Sequence, residues 1–328
     1  MPARTQTPPF SLERNRYDLS TYAGRVANMV DMIDPRTLLA SDARVRQAAD
    51  TLDRVRRGEA TGLSDAELWA ERKLKESAVH PDTGDIVPRP FRMAGYVPYG
   101  TPIVIALVVP TQSLVLTGLF QWINCSHNAA VNYSNSNKSQ AAPTATLVQG
   151  YAATVATAVG LSVGLRMLTQ RLPPTRTTKA LSALLPFMAV GSANVTNVAM
   201  MRRAELQSGI KVFTEEGREL GVSKVAAKDA ITMTAVTRVL LPMPCIAFPP
   251  VIMTLLEERT RLFKRFPRAR LPTLAGITTA LFGLGLALAV PLFPQKGSLP
   301  ARRLERGLQD ALGDVDLDRT TIVYNKGL

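Results

Sequence analysis

From about residue 100 onward, five apolar runs alternate with short polar connectors, and this pattern narrows the fold to one class. The runs cover roughly residues 100–120, 146–165, 180–201, 230–256 and 271–293. A helix of about twenty apolar residues is long enough to cross the hydrocarbon core of a bilayer. The chain is therefore expected to be an all-α membrane protein with about five transmembrane helices. The mean hydropathy of +0.06 conceals this, because residues 1–95 are dense in charge. Three regions are expected: a soluble, amphipathic helical region over 1–95, a transmembrane domain over 96–294, and a polar tail over 295–328.

The net charge of +13 is distributed unevenly. Residues 96–294 hold 18 basic and 7 acidic side chains, whereas 1–95 hold 15 and 14, and 295–328 hold 6 and 5. The excess lies in connectors between apolar runs. That fits the positive-inside bias of membrane proteins better than a nucleic-acid reader, which gathers its charge on one soluble face. The strongly basic connectors follow the second and fourth runs, so they share a side with residues 1–95. The bias places that side inward.

Several chemistries lack their residues. Cys125 and Cys245 make no disulfide framework, and with His80 and His127 they make no zinc pattern. There is no GxxxxGK[ST] loop, and Gly283-Leu-Gly285 lies inside an apolar run, out of context for a dinucleotide site. The apolar region holds no paired carboxylates and no Ser/His/Asp set. No enzyme activity, cofactor or metal is expected, and no nucleic-acid partner. The N-terminus has no apolar h-region, and Pro8 and Pro9 spoil a presequence helix, so no cleaved leader is expected.

Within 1–95, residues 1–35 read as irregular, ending at Asp34-Pro35. A helix is expected from Ser41 or Asp42 to Arg57, burying Val45, Ala48, Ala49, Leu52 and Val55, with Gly58 as its stop. A second starts at Ser64, where Ser64-Asp-Ala-Glu67 has capping-box spacing, and buries Leu68, Trp69 and Leu74. His80-Pro-Asp-Thr-Gly-Asp85 is a turn by composition, with His80 and Asp82 as structural residues of it. Between the third and fourth runs a polar loop with a short helix over 223–229 is expected.

Two features suggest a binding site. Asn124, Asn128, Asn132 and Asn135 are spaced to stack on one helical face, and Asn194 and Asn197 form a second pair. A neutral amide donates and accepts, so several could bind a small polar solute without a buried fixed charge. The plainer alternative is an interfacial helix whose amides face water or join helices. The fourth run is broken by Pro242, Pro244, Pro249 and Pro250, which cannot all sit in a regular helix. Broken helices commonly build transporter sites, and these prolines are the expected gating element. Arg238 beside the break could meet a substrate carboxylate or snorkel as an interfacial anchor. Gly160-Leu-Ser-Val-Gly164 has the spacing that lets two helices approach.

Together these segments resemble the sideroflexins, a family of mitochondrial inner-membrane proteins. His80–Asp85 resembles the family's HPDTGE. Gln121 to Asn137 resembles QWxNQSxNAxVNYxNRN, and Ala193 to Arg202 resembles ANxxNIPLMR. Pro249-Pro-Val-Ile-Met253 with Glu257, Phe293-Pro-Gln-Lys296, Asp34-Pro-Arg-Thr-Leu-Leu39 and Phe266-Pro267 also fit. The matches keep their order from about residue 18 to 300. The resemblance implies about five spans and transport of small neutral amino acids, serine foremost and then alanine, glycine or cysteine, into the matrix for one-carbon metabolism. It also implies links to iron homeostasis. A homo-oligomer in the lipid bilayer is compatible with it. Departures are Cys125 for Gln, His127 for an aromatic residue, Ser136 for Arg and Ala199 for Pro; the six asparagines are intact. The spans are expected to enclose a wet, amide-lined passage. The rival expectation is a membrane scaffold that docks assembly factors or respiratory-complex parts through its N-terminal region, residues 1–95.

Overall fold

The computed structural model describes residues 8–109, 113–135, 143–173, 175–215, 217–292, 296–310, 312, 316–318 and 320–325. It is mostly helical, with one small sheet. The chain forms two compact units: Met1–Leu107, Ser126–Ala141 and Met253–Leu292 in the first, and Val108–Cys125, Ala142–Ile252 and Phe293–Leu328 in the second.

The first unit begins with α1 (Tyr22–Met32), in a stretch that the sequence reads as irregular. Its apolar residues Tyr22, Val26, Met29 and Val30 recur at helical spacing, a periodicity the irregular reading missed, although none of its side chains is fully buried. Tertiary bonds hold it instead. Tyr22 Oη donates to the Leu288 carbonyl at 2.9 Å, and Arg25 Nε to that of Pro291 at 3.0 Å. Gly24 is required here, because a Cβ would sit 1.9 Å from the Asp18 carbonyl oxygen. Next come α2 (Asp42–Arg56) and α3 (Asp65–Ala78), close to their expected bounds. Ser41 caps α2 through the Arg44 N–H, and the Ser64–Glu67 capping box is formed. Each cap stabilises its helix by about 1 kcal/mol. Val45 and Ala48 pack with Leu74 and Ala78 to join the pair. Ala49 and Val55 are only half-buried.

The apolar run over 100–120 is divided between α4 (Tyr96–Val108) and α5 (Leu114–Ser134). Pro110 lies outside the described residues. The asparagine stretch is thus no separate interfacial helix but the continuation of α5. Ser136 and Asn137 at its end also lie outside them.

The second unit is built on α6 (Thr144–Gln170) and α7 (Arg176–Met201), followed by the short α8 (Arg203–Ser208). The fourth run is α9 (Lys224–Leu240), a wide π turn (Met243–Ala247) and α10 (Phe248–Arg259). The short helix expected over 223–229 is the first turn and a half of α9. In the first unit, α11 (Leu262–Arg265) leads to α12 (Arg270–Ala289).

The polar loop and the tail correct the sequence reading, because they form a sheet. Strands β1 (Ile210–Thr214) and β2 (Glu219–Ser223) make a hairpin, and β3 (Lys296–Pro300) and β4 (Thr321–Asn325) come from the tail. The order is β2-β1-β4-β3, antiparallel throughout, and α13 (Arg306–Asp310) lies between the tail strands in sequence. Val212, Leu299, Ile322 and Tyr324 pack with Ala226 and Ala230 of α9. Glu305 accepts from the N–H groups of Lys224 (2.7 Å) and Val225 (3.1 Å), two of the donors that a helix start leaves unsatisfied. Tyr324 Oη donates to Asp229. The motif residues Phe293, Pro294 and Gln295 lie outside the described residues.

Among the described residues four helical segments are long and apolar enough to cross a bilayer: Thr144–Gln170, Leu181–Met201, Lys224–Arg259 and Pro267–Leu292. The chain is a multi-pass, mostly α-helical membrane protein. The expected close approach at Gly160 and Gly164 is not made among the described residues, where a Cβ at either would meet nothing within 4 Å. Gly150 serves that purpose instead: a Cβ there would lie 2.9 Å from Met201 Sδ, which lets α6 and α7 close up.

Candidate functional site

A proline has no N–H, so Pro242 cannot donate to the carbonyl four residues earlier, that of Arg238. In an apolar helix such a carbonyl needs another donor. Asn194 Nδ2 donates to it at 2.9 Å from α7. Beyond Pro242 the backbone resumes with Ile246 N–H to the Pro242 carbonyl at 2.9 Å, and Phe248 N–H reaches back five residues to Met243. The break is therefore a widened turn, and the carbonyl that Pro242 leaves open is served by a neutral amide. Pro249 is buried and Pro242, Pro244 and Pro250 are half-buried. The Arg238 side chain is half-buried in the last turn of α9, where the helix dipole favours a cation.

The second unit adds a polar seam between α6 and α7. Asn197 Nδ2 donates to Thr154 Oγ1 at 3.1 Å, and Thr157 and Thr196 pair at 3.4 Å. Thr154 and Thr157 also donate to carbonyls one turn back, at 2.7 and 2.8 Å. Asn124 is buried on α5 beside Cys125, which packs with Ala158 and Ala193. Arg202 closes α7 by pairing with Glu205 and donating to Thr234 Oγ1 of α9 at 3.2 Å.

The other three asparagines of the α5 row belong to the first unit. Asn128 Oδ1 accepts from Tyr96 Oη at 2.5 Å. The Tyr96 ring stacks on His127 and meets Phe282 edge-on, with centroids 6.0 and 5.4 Å apart. His127 Nε2 lies 3.3 Å from the Pro90 carbonyl. Asn135 donates to the Phe91 and Val131 carbonyls, each at 2.7 Å. Asn132 is exposed and has no hydrogen-bond partner among the described residues. This group fastens the chain entering α4. The α5 row thus grades from a buried Asn124 to exposed Asn132 and Asn135, and it does not form one uniform face.

His80 is buried, and its Nδ1 accepts from the N–H groups of Asp82 (3.1 Å) and Thr83 (3.4 Å). That closes a turn in which Gly84 takes φ +73°. Asp82 itself is exposed. His80 also lines a cavity of about 600 Å³ in the N-terminal helices, with Tyr17, Asp31, Trp69, Lys73 and Glu76. Its polar lining is partly paired: Lys73 bonds Asp31 at 2.9 Å and Tyr17 donates to Asp31 at 2.7 Å. Burial, then that bond, raises the Tyr17 pKa.

Sequence reading missed Tyr96, Thr154, Arg92, Gln121 and Ser162. Arg92 is 1% exposed; its Nε donates to the Val87 carbonyl at 2.7 Å, and burial lowers its pKa. An aromatic opening an apolar run was a signal for Tyr96, and polar residues beside or within apolar runs were signals for Gln121, Thr154 and Ser162. Nothing local marked Arg92. Among the described residues no group of three His, Cys, Asp or Glu side chains could hold a metal ion.

A family model for sideroflexins matches residues 11–328. The chain is 41% identical to sideroflexin-5 of Homo sapiens over 99% of this chain and 94% of that protein. It is 38% identical to sideroflexin-5 of Caenorhabditis elegans over 98% and 96%, and 35% identical to a sideroflexin of Dictyostelium discoideum over 98% of each. No solved structure matches it significantly.

Proposed function

The chain belongs to the sideroflexin family, and on that premise we propose that it carries small neutral amino acids, serine foremost, across the mitochondrial inner membrane. It is a carrier and not an enzyme. The observation behind this reading is the bond from Asn194 to the Arg238 carbonyl beneath Pro242. A carbonyl held by a side chain of another helix can be released and taken up again without unwinding a turn. The π turn between α9 and α10 is then the joint of an alternating-access cycle, and the released amide and carbonyl are groups that a zwitterion can use. Within the second unit, the amides of Asn124, Asn194 and Asn197 supply neutral recognition. The basic connectors support an N-terminus in the matrix, where imported serine would feed one-carbon metabolism. With no nucleotide motif in the sequence, gradients drive the flux.

Purified protein in liposomes tests this with labelled serine. Saturable uptake is expected, competed by alanine, glycine and cysteine but not by citrate. Joint replacement Asn194→Ala and Asn197→Ala is expected to abolish most of it, and undiminished uptake would remove these amides from the site. A second reading rests on the cavity beside Trp69 and His80, which transport does not use. In that reading residues 1–95 dock an assembly partner. Deleting residues 1–70 separates the two, since a carrier retains some flux and a scaffold loses its partner.

A further inference from the structure

Two buried oxygens on α5 and α6 have no hydrogen-bond partner among the described residues. Gln121 is 1% exposed and Ser162 is 2% exposed, yet neither Gln121 Oε1 nor Ser162 Oγ is bonded. An unsatisfied polar atom among apolar helices is costly, so a fold tends to keep one only for a purpose. Four polar side chains on α6 and α7, those of Thr154, Thr157, Asn194 and Asn197, are by contrast bonded.

Packing neighbours on either side bracket the two residues at about one level. Cys125, Ala158 and Ala193 pack together on one side of it. On the other side Gly118 faces Val159 and Val163, which a Cβ would meet at 3.5 and 3.7 Å. Gln121 sits on α5 between Gly118 and Cys125, and Ser162 sits on α6 between Ala158 and Val163. The pairing of Asn197 with Thr154 and Thr196 with Thr157 runs α7 antiparallel to α6. That brings Ala189, fully buried and small, to the same level.

We propose that Gln121 and Ser162 form a substrate-recognition layer that takes the ammonium group of a small neutral amino acid. This rests on the transport reading and deepens it. An amide oxygen only accepts, so its partner must be a donor. A serine hydroxyl accepts and donates, so it can bond the same ammonium or the neighbouring polar group of the ligand. No charged side chain lies on α5 from 118 to 125, on α6 from 158 to 163 or on α7 from 189 to 193. The layer therefore fits a net-neutral zwitterion better than an anion or a free cation. Alanine at 189 and 193 keeps room for a short side chain.

The test uses the full chain. Gln121→Met and Ser162→Ala remove the oxygens with little change in shape, and Ser162→Thr keeps the hydroxyl. For labelled L-serine, KM is expected to rise about ten-fold or more in the first two, with kcat within about two-fold. Ser162→Thr is expected to stay near the wild-type KM. Melting temperatures of Gln121→Met and Ser162→Ala are expected to stay level or rise, since each loses an unsatisfied group, whereas the serine-induced melting shift of the wild type should vanish in both. N-acetyl-L-serine, which has no ammonium, should neither compete nor shift the wild type. An unchanged KM and an unchanged serine shift in Gln121→Met and Ser162→Ala overturn the layer while leaving transport standing. A serine shift in the wild type that both variants lose, without any flux, supports the layer and overturns the carrier reading. Neither shift nor flux in the wild type overturns both.

Discussion

The two units hold their helices together with different chemistry. In the first, Lys73 sits between Asp31 and Asp34 at 2.9 and 2.7 Å, and Arg44 pairs with Glu71 at 2.5 Å. In the second, several bonds that join apolar helices are neutral: an asparagine to a backbone carbonyl, an asparagine to a threonine, a threonine to a threonine, while Arg202 adds a charged donor only at the end of α7. The difference follows from solvent. A charge taken into hydrocarbon costs more than a pair recovers unless its geometry is excellent, whereas an amide needs only one or two partners. Neutral groups can also exchange partners at low cost, which suits a helix that must move.

The sharpest way to break this comparison is at Asn194. Replacing it with Leu strands the Arg238 carbonyl and is expected to cost about 2 kcal/mol in a detergent unfolding titration. In a Pro242→Ala background the new N–H can reach that carbonyl, so the same replacement should cost under about 0.5 kcal/mol. The cycle then gives a coupling of roughly 1.5 kcal/mol. Asn128→Leu, whose partner is Tyr96 in the first unit, should show no coupling to Pro242. Equal costs of Asn194→Leu in both backgrounds would detach the amide from the break.

The charged side of the comparison is tested by acid. Hydrogen bonds from Arg36, and then from Lys73, hold the Asp34 pKa well below the ordinary carboxylate value, against some desolvation. A depressed folded-state pKa contributes stability that is full above the unfolded value, near 4, and lost as pH falls toward the folded one. The first unit is therefore expected to weaken below about pH 4. Asp34→Asn should flatten that acid limb and cost about 1.5 kcal/mol at pH 7. Hydrogen exchange read separately for α1–α3 and for α6–α7 checks this, since the neutral bonds joining α6 to α7 should not respond. A smaller effect belongs to Glu305, which accepts from two N–H groups at the start of α9. Glu305→Ala is expected to cost about 1 kcal/mol, seen as faster exchange at residues 224–226.

Much of this was legible in the chain. The caps of α2 and α3 are written as Ser41 and Ser64-Asp-Ala-Glu67, and the break in the fourth run is written in its prolines. These signals are local, so a linear reading finds them. The sheet is not local: Ile210-Lys-Val-Phe-Thr214 and Thr321-Ile-Val-Tyr324 are each rich in β-formers, but they pair across about a hundred residues. α1 is held by carbonyls at 288 and 291, which no window can contain. At the candidate site the residue types were readable but their partners were not. Asn194 is visible as an amide near an apolar helix, but its acceptor lies 44 residues away. Gln121 and Ser162 stand out only through the bonds they fail to make.

Asn132 gives the smallest expected effect and sharpens the comparison within one helix. It lies one turn beyond Asn128 on α5, yet it is exposed and lacks a partner among the described residues, while Asn128 is half-buried and bonded to Tyr96. Spacing alone treats the two alike; environment does not. Asn132→Ala removes no described contact and replaces a weak helix former with the best one, so stability should rise by no more than about 0.5 kcal/mol. Serine KM should hold within about two-fold, because an amide that stays in water gains little by exchanging water for ligand. A larger rise in KM at unchanged stability would mean that the ligand itself orders this amide. Asn132 would then be a binding amide, and the solvated end of α5 would matter for recognition.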